Sequence, residues 1–238
     1  MKIKKISFLF FALALSLGFA QAQTVDELVA KHTEAMGGKA NLDKLKTLYL
    51  ECEIDFGGMK IPIKMWRVDK KAMKLTIEVQ GMSGNQVITD KDGWAFMPFQ
   101  GQTKPEPSTA EDVKSAKSSL DISGDLVDYA AKGNAVTFLG KDEFEGTDVY
   151  KLQVVDKEGN ITTEYLDATS YLLIKTESKR KIQDKEIDSK TIYGDFKKLD
   201  CGVTMPHSID AGMGGALIVK KYEVNPVIDP KIFEMPAK

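Results

Sequence analysis

Histidine and cysteine are almost missing from this chain of 238 residues, at two of each, and the scarcity removes much catalytic chemistry. His32 and His207 stand alone, with no partner at the spacing that holds a metal ion. Cys52 and Cys201 could pair in an exported chain, but Cys52 falls in the apolar phase of a strand, so two buried thiols are an equal reading. Glycine-rich catalytic loops are missing too. Gly81-Met82-Ser83-Gly84 is no nucleophile elbow, and Gly212-Met213-Gly214-Gly215 lies between strands with no helix after it, so it is neither a dinucleotide nor a phosphate loop. Asp142, Glu143 and Glu145 fall in turns, where solvation is the default. No catalytic residue, metal site or cofactor is nominated, and the expectation is a protein that is not an enzyme.

An excess of positive charge is also lacking. Lys and Arg number 33 against 35 Asp and Glu, for a formal net charge of −2, which argues against nucleic acid or anionic lipid headgroups as the main partner. The basic stretch from Lys179-Arg180-Lys181 to Lys185-Glu186 is interrupted by acids and reads as a solvated strand edge and turn. Long apolar runs are confined to the start. Lys2, Lys4 and Lys5 precede an apolar run from Ile6 to about Ala20, and Ala20-Gln21-Ala22 offers a small-x-small cleavage site, the pattern of a removable export signal over residues 1–22. No lipid-attachment cysteine sits at the cut. The expectation is a soluble, exported, periplasmic protein with one domain over residues 23–238. Cleavage would move the formal balance to about −5, since the segment carries three lysines and no acid.

What is present is alternation. Leu48, Leu50, Cys52, Ile54 and Phe56 occupy every second position, with Tyr49, Glu51, Glu53 and Asp55 between them, the two-residue period of a half-buried strand. Gly57-Gly58 suits a tight hairpin. The next run puts Ile61, Ile63, Met65 and Arg67 on one face and Pro62, Lys64, Trp66 and Val68 on the other. A third alternates Met73, Leu75, Ile77 and Val79 with polar residues. Further strands are expected at Gln86–Thr89 and around Trp94 and Phe96, with Asp92-Gly93 as the turn between them. After Ala135 the chain reads as strands at about 136–140, 147–155, 161–166, 172–179, 186–196, 203–209 and 216–224.

Helical signals are few. Thr24 with Glu27 is a capping box opening an amphipathic helix that Gly37-Gly38 ends. Ser108 with Glu111 suggests a second box, leading to short helices at roughly 109–119 and 124–132 after an exposed loop from Gln100 to Pro107. The predicted class is mainly β (α+β): a curved antiparallel half-barrel of about eleven strands whose concave apolar face is covered by short helices.

A width comparison gives that class a consequence. Eleven strands about 4.8 Å apart span on the order of 50 Å, while three helices about 10 Å across cover roughly 30 Å. The surplus apolar sheet either packs on itself or holds an apolar ligand. Met59, Met65, Met73, Met82 and Met97 suit a pocket that repacks around varied ligands, and serve equally as core filler. Arg67 shares a face with Ile63 and Met65, where an unpaired guanidinium would be costly. It either bonds backbone carbonyls there or snorkels out at the strand end.

The order of these pieces resembles the LolA/LolB-like superfamily of outer-membrane lipoprotein carriers. The resemblance rests on Trp66-Arg67, on Asp92-Gly93-Trp94-Ala95-Phe96-Met97-Pro98, and on Tyr165-Leu166-Asp167 followed by Leu172-Leu173-Ile174-Lys175. It continues in Tyr193-Gly194-Asp195-Phe196 with Val203-Thr204-Met205-Pro206, and in Asn225-Pro226-Val227-Ile228-Asp229 with Phe233 and Pro236. It implies an incomplete barrel that holds acyl chains beneath a helical lid. It also implies that an inward arginine, here Arg67, helps hold the lid closed, although Val68 stands where a proline often follows. The missing lipid-attachment cysteine fits the soluble carrier rather than the anchored acceptor. Leu50, Ile54, Ile63, Met65, Leu75, Ile77, Trp94 and Phe96 are the expected pocket lining. The expected partners are lipoprotein or lipid acyl chains, with inner- and outer-membrane transport components. A lipid sensor that releases a protein partner is the alternative of the same architecture, since fold does not name the cargo.

Overall fold

A computed structural model describes residues 24–182, 185–212 and 214–236. The expected export segment at residues 1–22 lies outside them, as do residues 183–184 of the basic stretch between Lys179 and Glu186. Among the described residues no helix is long and apolar enough to cross a membrane.

The strands are β1 (Thr47–Phe56), β2 (Met59–Val68), β3 (Ala72–Val79), β4 (Met82–Thr89), β5 (Gly93–Phe96) and β6 (Glu106–Pro107), then β7 (Ala135–Phe144), β8 (Thr147–Val155), β9 (Ile161–Asp167), β10 (Leu173–Ile182), β11 (Lys185–Lys198), β12 (Thr204–Asp210) and β13 (Leu217–Val224). They form one curved, unclosed antiparallel sheet in the order 6-5-4-3-2-1-13-12-11-10-9-8-7. The expected count of about eleven is therefore corrected to thirteen. Every candidate run pairs, and β6 adds a strand within the loop expected to be free, where Glu106 and Pro107 pair with Ala95 and Trp94. Pro107 is tolerated there because an edge strand needs no second set of donors. The β1–β2 turn is built as expected: Gly57 and Gly58 both adopt positive φ, 61° and 89°, as a two-residue hairpin loop requires.

The helices are α1 (Val25–Ala35), α2 (Lys39–Leu42), α3 (Ala110–Ala116) and α4 (Tyr129–Lys132). Thr24 and Glu27 form the expected capping box on α1. The α3 box is shifted by one residue from expectation, to Thr109 and Asp112. The reason is that the Ser108 N–H is taken by the Gly93 carbonyl at 2.9 Å, which prolongs the β5–β6 pairing and leaves Thr109 as the first residue free to cap. The expected helix from Gly124 shrinks to α4, because Asp128 adopts a left-handed φ of 54° that helical residues avoid.

Sheet order dictates what lies over what. β6 and β7 follow one another in the chain yet occupy opposite edges of the sheet, so residues 108–134 must cross one of its faces. They cross the inner, concave face. Ile122 and Val127 join a buried cluster with Leu48, Leu50, Ile54, Ile63 and Leu217, while Leu126 joins a second with Leu28 and Val29 of α1 and Leu152 and Leu166 of β8 and β9.

Candidate functional site

Cross-strand register assigns every strand residue to a face. Leu50 pairs with Met65 and Met65 with Leu75, while Ile63 pairs with both Cys52 and Ile77. Leu50, Ile54, Ile63, Met65, Leu75 and Ile77 therefore share the inner face. Leu50, Ile54 and Ile63 are buried, and the other three pack half-buried against them. β13 extends the patch with Leu217, Val219 and Tyr222, opposite Ile54, Cys52 and Leu50.

Trp94 and Phe96 do not belong to it. Trp94 pairs with Val87 and Phe96 with Asn85; those residues pair in turn with Lys74 and Thr76, which pair with Trp66 and Lys64 on the outer face. Both aromatics are thereby corrected from expected pocket lining to the convex side. There the Trp94 indole donates to the Phe233 carbonyl at 2.9 Å, under the C-terminal turn Pro230–Phe233. The inner-face space that they were expected to fill is taken by Phe99 and Met97, which close on Gly84 so tightly that a Cβ there would collide with both. The methionines also divide: Met59 and Met82 are exposed at hairpin tips, whereas Met65 packs against the inner patch.

The crossing segment 108–134, the expected lid, is fastened to the edge of the apolar patch by a row of polar contacts. Arg67 Nη2 donates to the Ser119 carbonyl at 2.6 Å and to that of Asp121 at 3.4 Å. The Lys70 N–H donates to the Leu120 carbonyl at 3.0 Å, and the Ile122 N–H donates to Asp69 Oδ1 at 3.0 Å. Burial pulls the Arg67 pKa down, opposed by Tyr222, Asp69 and Asp121, and its Nε is buried without a hydrogen-bond partner. Arg67 thus points inward to the lid backbone rather than snorkelling out. On the far side, Tyr129 donates to Asp26 at 2.7 Å and Lys39 pairs with Asp128, tying the lid to α1 and α2.

The other half of the inner face differs in kind. Thr176 pairs with Glu164 and Thr191, and Ser178 with Thr162 and Ser189, so β9, β10 and β11 present a polar stripe. Two cavities flank the lid here. One of about 880 Å³ is lined by Glu111, Ser115, Thr162, Ser178 and Ser189 among others. The other, of about 530 Å³, is lined by Asp121, Asp125, Lys132 and Asp156 with their neighbours. Burial and the nearby Asp125, opposed by Lys132, push the Glu164 carboxyl up to about 8. Burial also pushes Asp125 up to about 6, against the pull of Lys132 and with Asp156 and Asp121 adding to it. Burial acts the same way on Asp121, but Lys132 and Ser123 outweigh it and the net shift is downward.

The residues with scarce chemistry are held in structural roles. His32 is buried on α1 with Nδ1 against the Tyr171 carbonyl at 2.9 Å, and burial lowers its pKa. Cys52 and Cys201 are free thiols, and burial pushes that of Cys52 up to about 12. Sequence reasoning missed Ile122 and Glu164. Ile122 sits between the two expected helices in a stretch with no regular period, and Glu164 lies in the run Thr162-Thr163-Glu164-Tyr165, whose two phases are equally mixed.

Similar architecture occurs in solved structures. A LolA superfamily protein from Nitrosomonas europaea superposes with a TM-score of 0.55 at 13% identity, over 90% of this chain and 98% of that one. A DUF1329 family protein from Desulfovibrio piger gives 0.53 at 14%, over 88% and 97%. An outer membrane lipoprotein-sorting protein domain from Vibrio parahaemolyticus gives 0.52 at 13%, again over 88% and 97%. No family profile and no curated protein sequence matches the chain. Identities this low establish the fold, which is LolA-like.

Proposed function

With the LolA-like fold as premise, we propose that this chain is a periplasmic carrier that shields the acyl chains of a lipoprotein or lipid and delivers them toward the outer membrane. Leu50, Ile54, Ile63, Met65, Leu75 and Ile77 form the wall, and residues 108–134 form the lid. The observation that carries the reading is the latch: Arg67 reaches out of an apolar face to bond the carbonyls of Ser119 and Asp121, so one edge of the cover of that face is fastened by a few polar contacts. In the closed state Ile122 and Val127 occupy the wall. An entering acyl chain replaces them, contact for contact, and its own removal from water supplies roughly 0.8 kcal/mol per methylene. Opening at that edge costs the Arg67 hydrogen bonds, the Lys70–Leu120 bond and the Asp69 contact. Such a site selects for apolar length rather than for a particular chain, so its cargo range is broad. No step requires a catalytic group.

Native mass spectrometry of the protein purified from a periplasmic extract without detergent tests this reading, with organic extraction of whatever co-purifies. A discrete added mass of acyl-bearing material is expected. A ligand-free mass that persists after incubation with diacyl lipid would overturn the carrier role, and a stoichiometric protein partner shed on lipid addition would favour the sensor.

A further inference from the structure

The latch that fastens the lid is itself incompletely satisfied. A guanidinium carries five N–H donors in a planar fork, and Arg67 sets that fork on the inner face, in register with Leu48 and Met73. One nitrogen, Nη2, serves both lid carbonyls, that of Ser119 at 2.6 Å and, by a long bond, that of Asp121 at 3.4 Å. The Nε beside it is buried and serves none. Neither nearby acid makes up the deficit. Asp121 gives its carboxylate to Lys132 at 2.8 Å and to Lys70 at 3.6 Å, and Asp69 accepts from the Ile122 N–H at 3.0 Å.

The segment that holds Arg67 has the make-up of an acyl ester. The Ser119 and Asp121 carbonyls meet the guanidinium, and the adjoining Ile122 is buried on the apolar wall with Leu48, Leu50 and Ile63, so carbonyl oxygens lead directly into hydrocarbon. When the lid lifts at this edge these groups leave together, since they belong to one stretch of backbone from Ser119 to Ile122. A cargo of hydrocarbon alone would refill the wall but strand the guanidinium, and an unsatisfied buried cation is costly. A cargo whose chains begin at two carbonyls refills both. It can also do better than the lid, with one oxygen on Nη2 and the other on Nε in the parallel arrangement that suits this fork.

We propose that Arg67 is a specificity-determining residue that reads the acyl carbonyls of the cargo, passing from the Ser119 and Asp121 carbonyls to the paired ester carbonyls of a diacyl lipid as the lid opens. The inference rests on the carrier reading and narrows its cargo to ester-linked chains. An ether-linked chain of the same length offers the wall equal hydrocarbon but brings the fork no carbonyl. Asp69, released from Ile122 by the same opening, is the rival for the guanidinium.

Calorimetric titration of the protein with dioctanoylglycerol and with its diether counterpart dioctylglycerol, both below their aggregation limits, isolates the two carbonyls. The wild type should bind the diester about tenfold or more tightly than the diether. In Arg67→Met, which keeps an unbranched side chain and removes the fork, the two lipids should bind within about twofold of each other. The diether should also bind this variant more tightly than it binds the wild type, because no latch opposes entry. Equal binding of diester and diether by the wild type would show that Asp69 takes the guanidinium, and an unaltered preference in Arg67→Met would place the recognition elsewhere; either overturns the handover and leaves the carrier intact. Binding of neither lipid would overturn both. Should Arg67→Met fail to fold, Arg67→Lys keeps the charge without the fork and carries the same comparison, with the preference again expected to fall.

Discussion

The inner face of this sheet has two halves that solve the problem of coverage in opposite ways. Over β1–β4 and β13 it is apolar, closely covered by Ile122, Val127, Phe99 and Met97, and its cover is latched by Arg67. Over β9–β11 it is polar, and cavities of about 880 and 530 Å³ open beside the lid. The contrast teaches that one crossing segment is seated in two ways: it packs Ile122 and Val127 into the apolar half, whereas beside the other half it buries Leu126 against Leu152 and Leu166 and leaves polar groups and open space around that contact.

The largest effect should come from making the apolar half resemble the polar one. Met65→Asn with Ile77→Asn places two amides on the wall; at roughly 1–3 kcal/mol each, acyl retention should drop by about two orders of magnitude or more while circular dichroism stays native. Thr176→Val, the reverse change on the polar half, should leave retention of a simple alkyl chain within about twofold. Full retention by the folded double variant would remove these residues from the pocket.

A smaller effect separates the halves by pH. The Glu164 pKa, about 8, lies above its ordinary 4.5, so the folded chain holds a proton that the unfolded chain has released. Stability should therefore fall as pH rises from 4.5 to 8, by at most about 4–5 kcal/mol. Glu164→Gln should flatten that slope in urea unfolding at pH 5 and pH 9. An equal slope in both proteins would mean that Glu164 ionises without cost.

Loosening the latch comes next. Arg67→Ala should cost about 2–3 kcal/mol of lid closure, seen as roughly 30- to 150-fold faster hydrogen exchange at the Lys70 and Ile122 amides, whose acceptors are the Leu120 carbonyl and Asp69. Unchanged exchange would show that the apolar contacts hold the lid alone. The smallest effect belongs to the convex side: Trp94→Phe removes the bond to the Phe233 carbonyl, should cost about 1 kcal/mol of stability, and should leave lipid retention unchanged. A loss of retention there would put the aromatic back in the pocket.

Much of this architecture was legible in the chain. Alternation in 48–56, 61–68 and 73–79 located three strands and grouped Leu50, Ile54, Ile63, Met65, Leu75 and Ile77, because side chains two apart in a strand must share a face. Arg67 fell in the same phase and is found there. Trp94 and Phe96 were misplaced for a definite reason. Gly93, Ala95 and Met97 occupy the other phase, and choosing between a small-residue phase and an aromatic one needs the β4–β5 register, Val87 opposite Trp94. An apolar residue is no guide when both faces of the sheet are partly covered.

Backbone periodicity and turn chemistry act over a few residues, so the sequence by itself determined the strands, the Gly57-Gly58 hairpin and the Thr24 cap. Three things were decided only by the tertiary structure. Pairing β1 with β13 sends β6 and β7 to opposite edges and forces residues 108–134 across the inner face. Register puts Glu164 beneath that crossing rather than in water. The crossing itself brings Leu126 onto Leu152 and Leu166, an encounter between residues distant in the chain that no local pattern encodes, because it depends on where every intervening strand has paired.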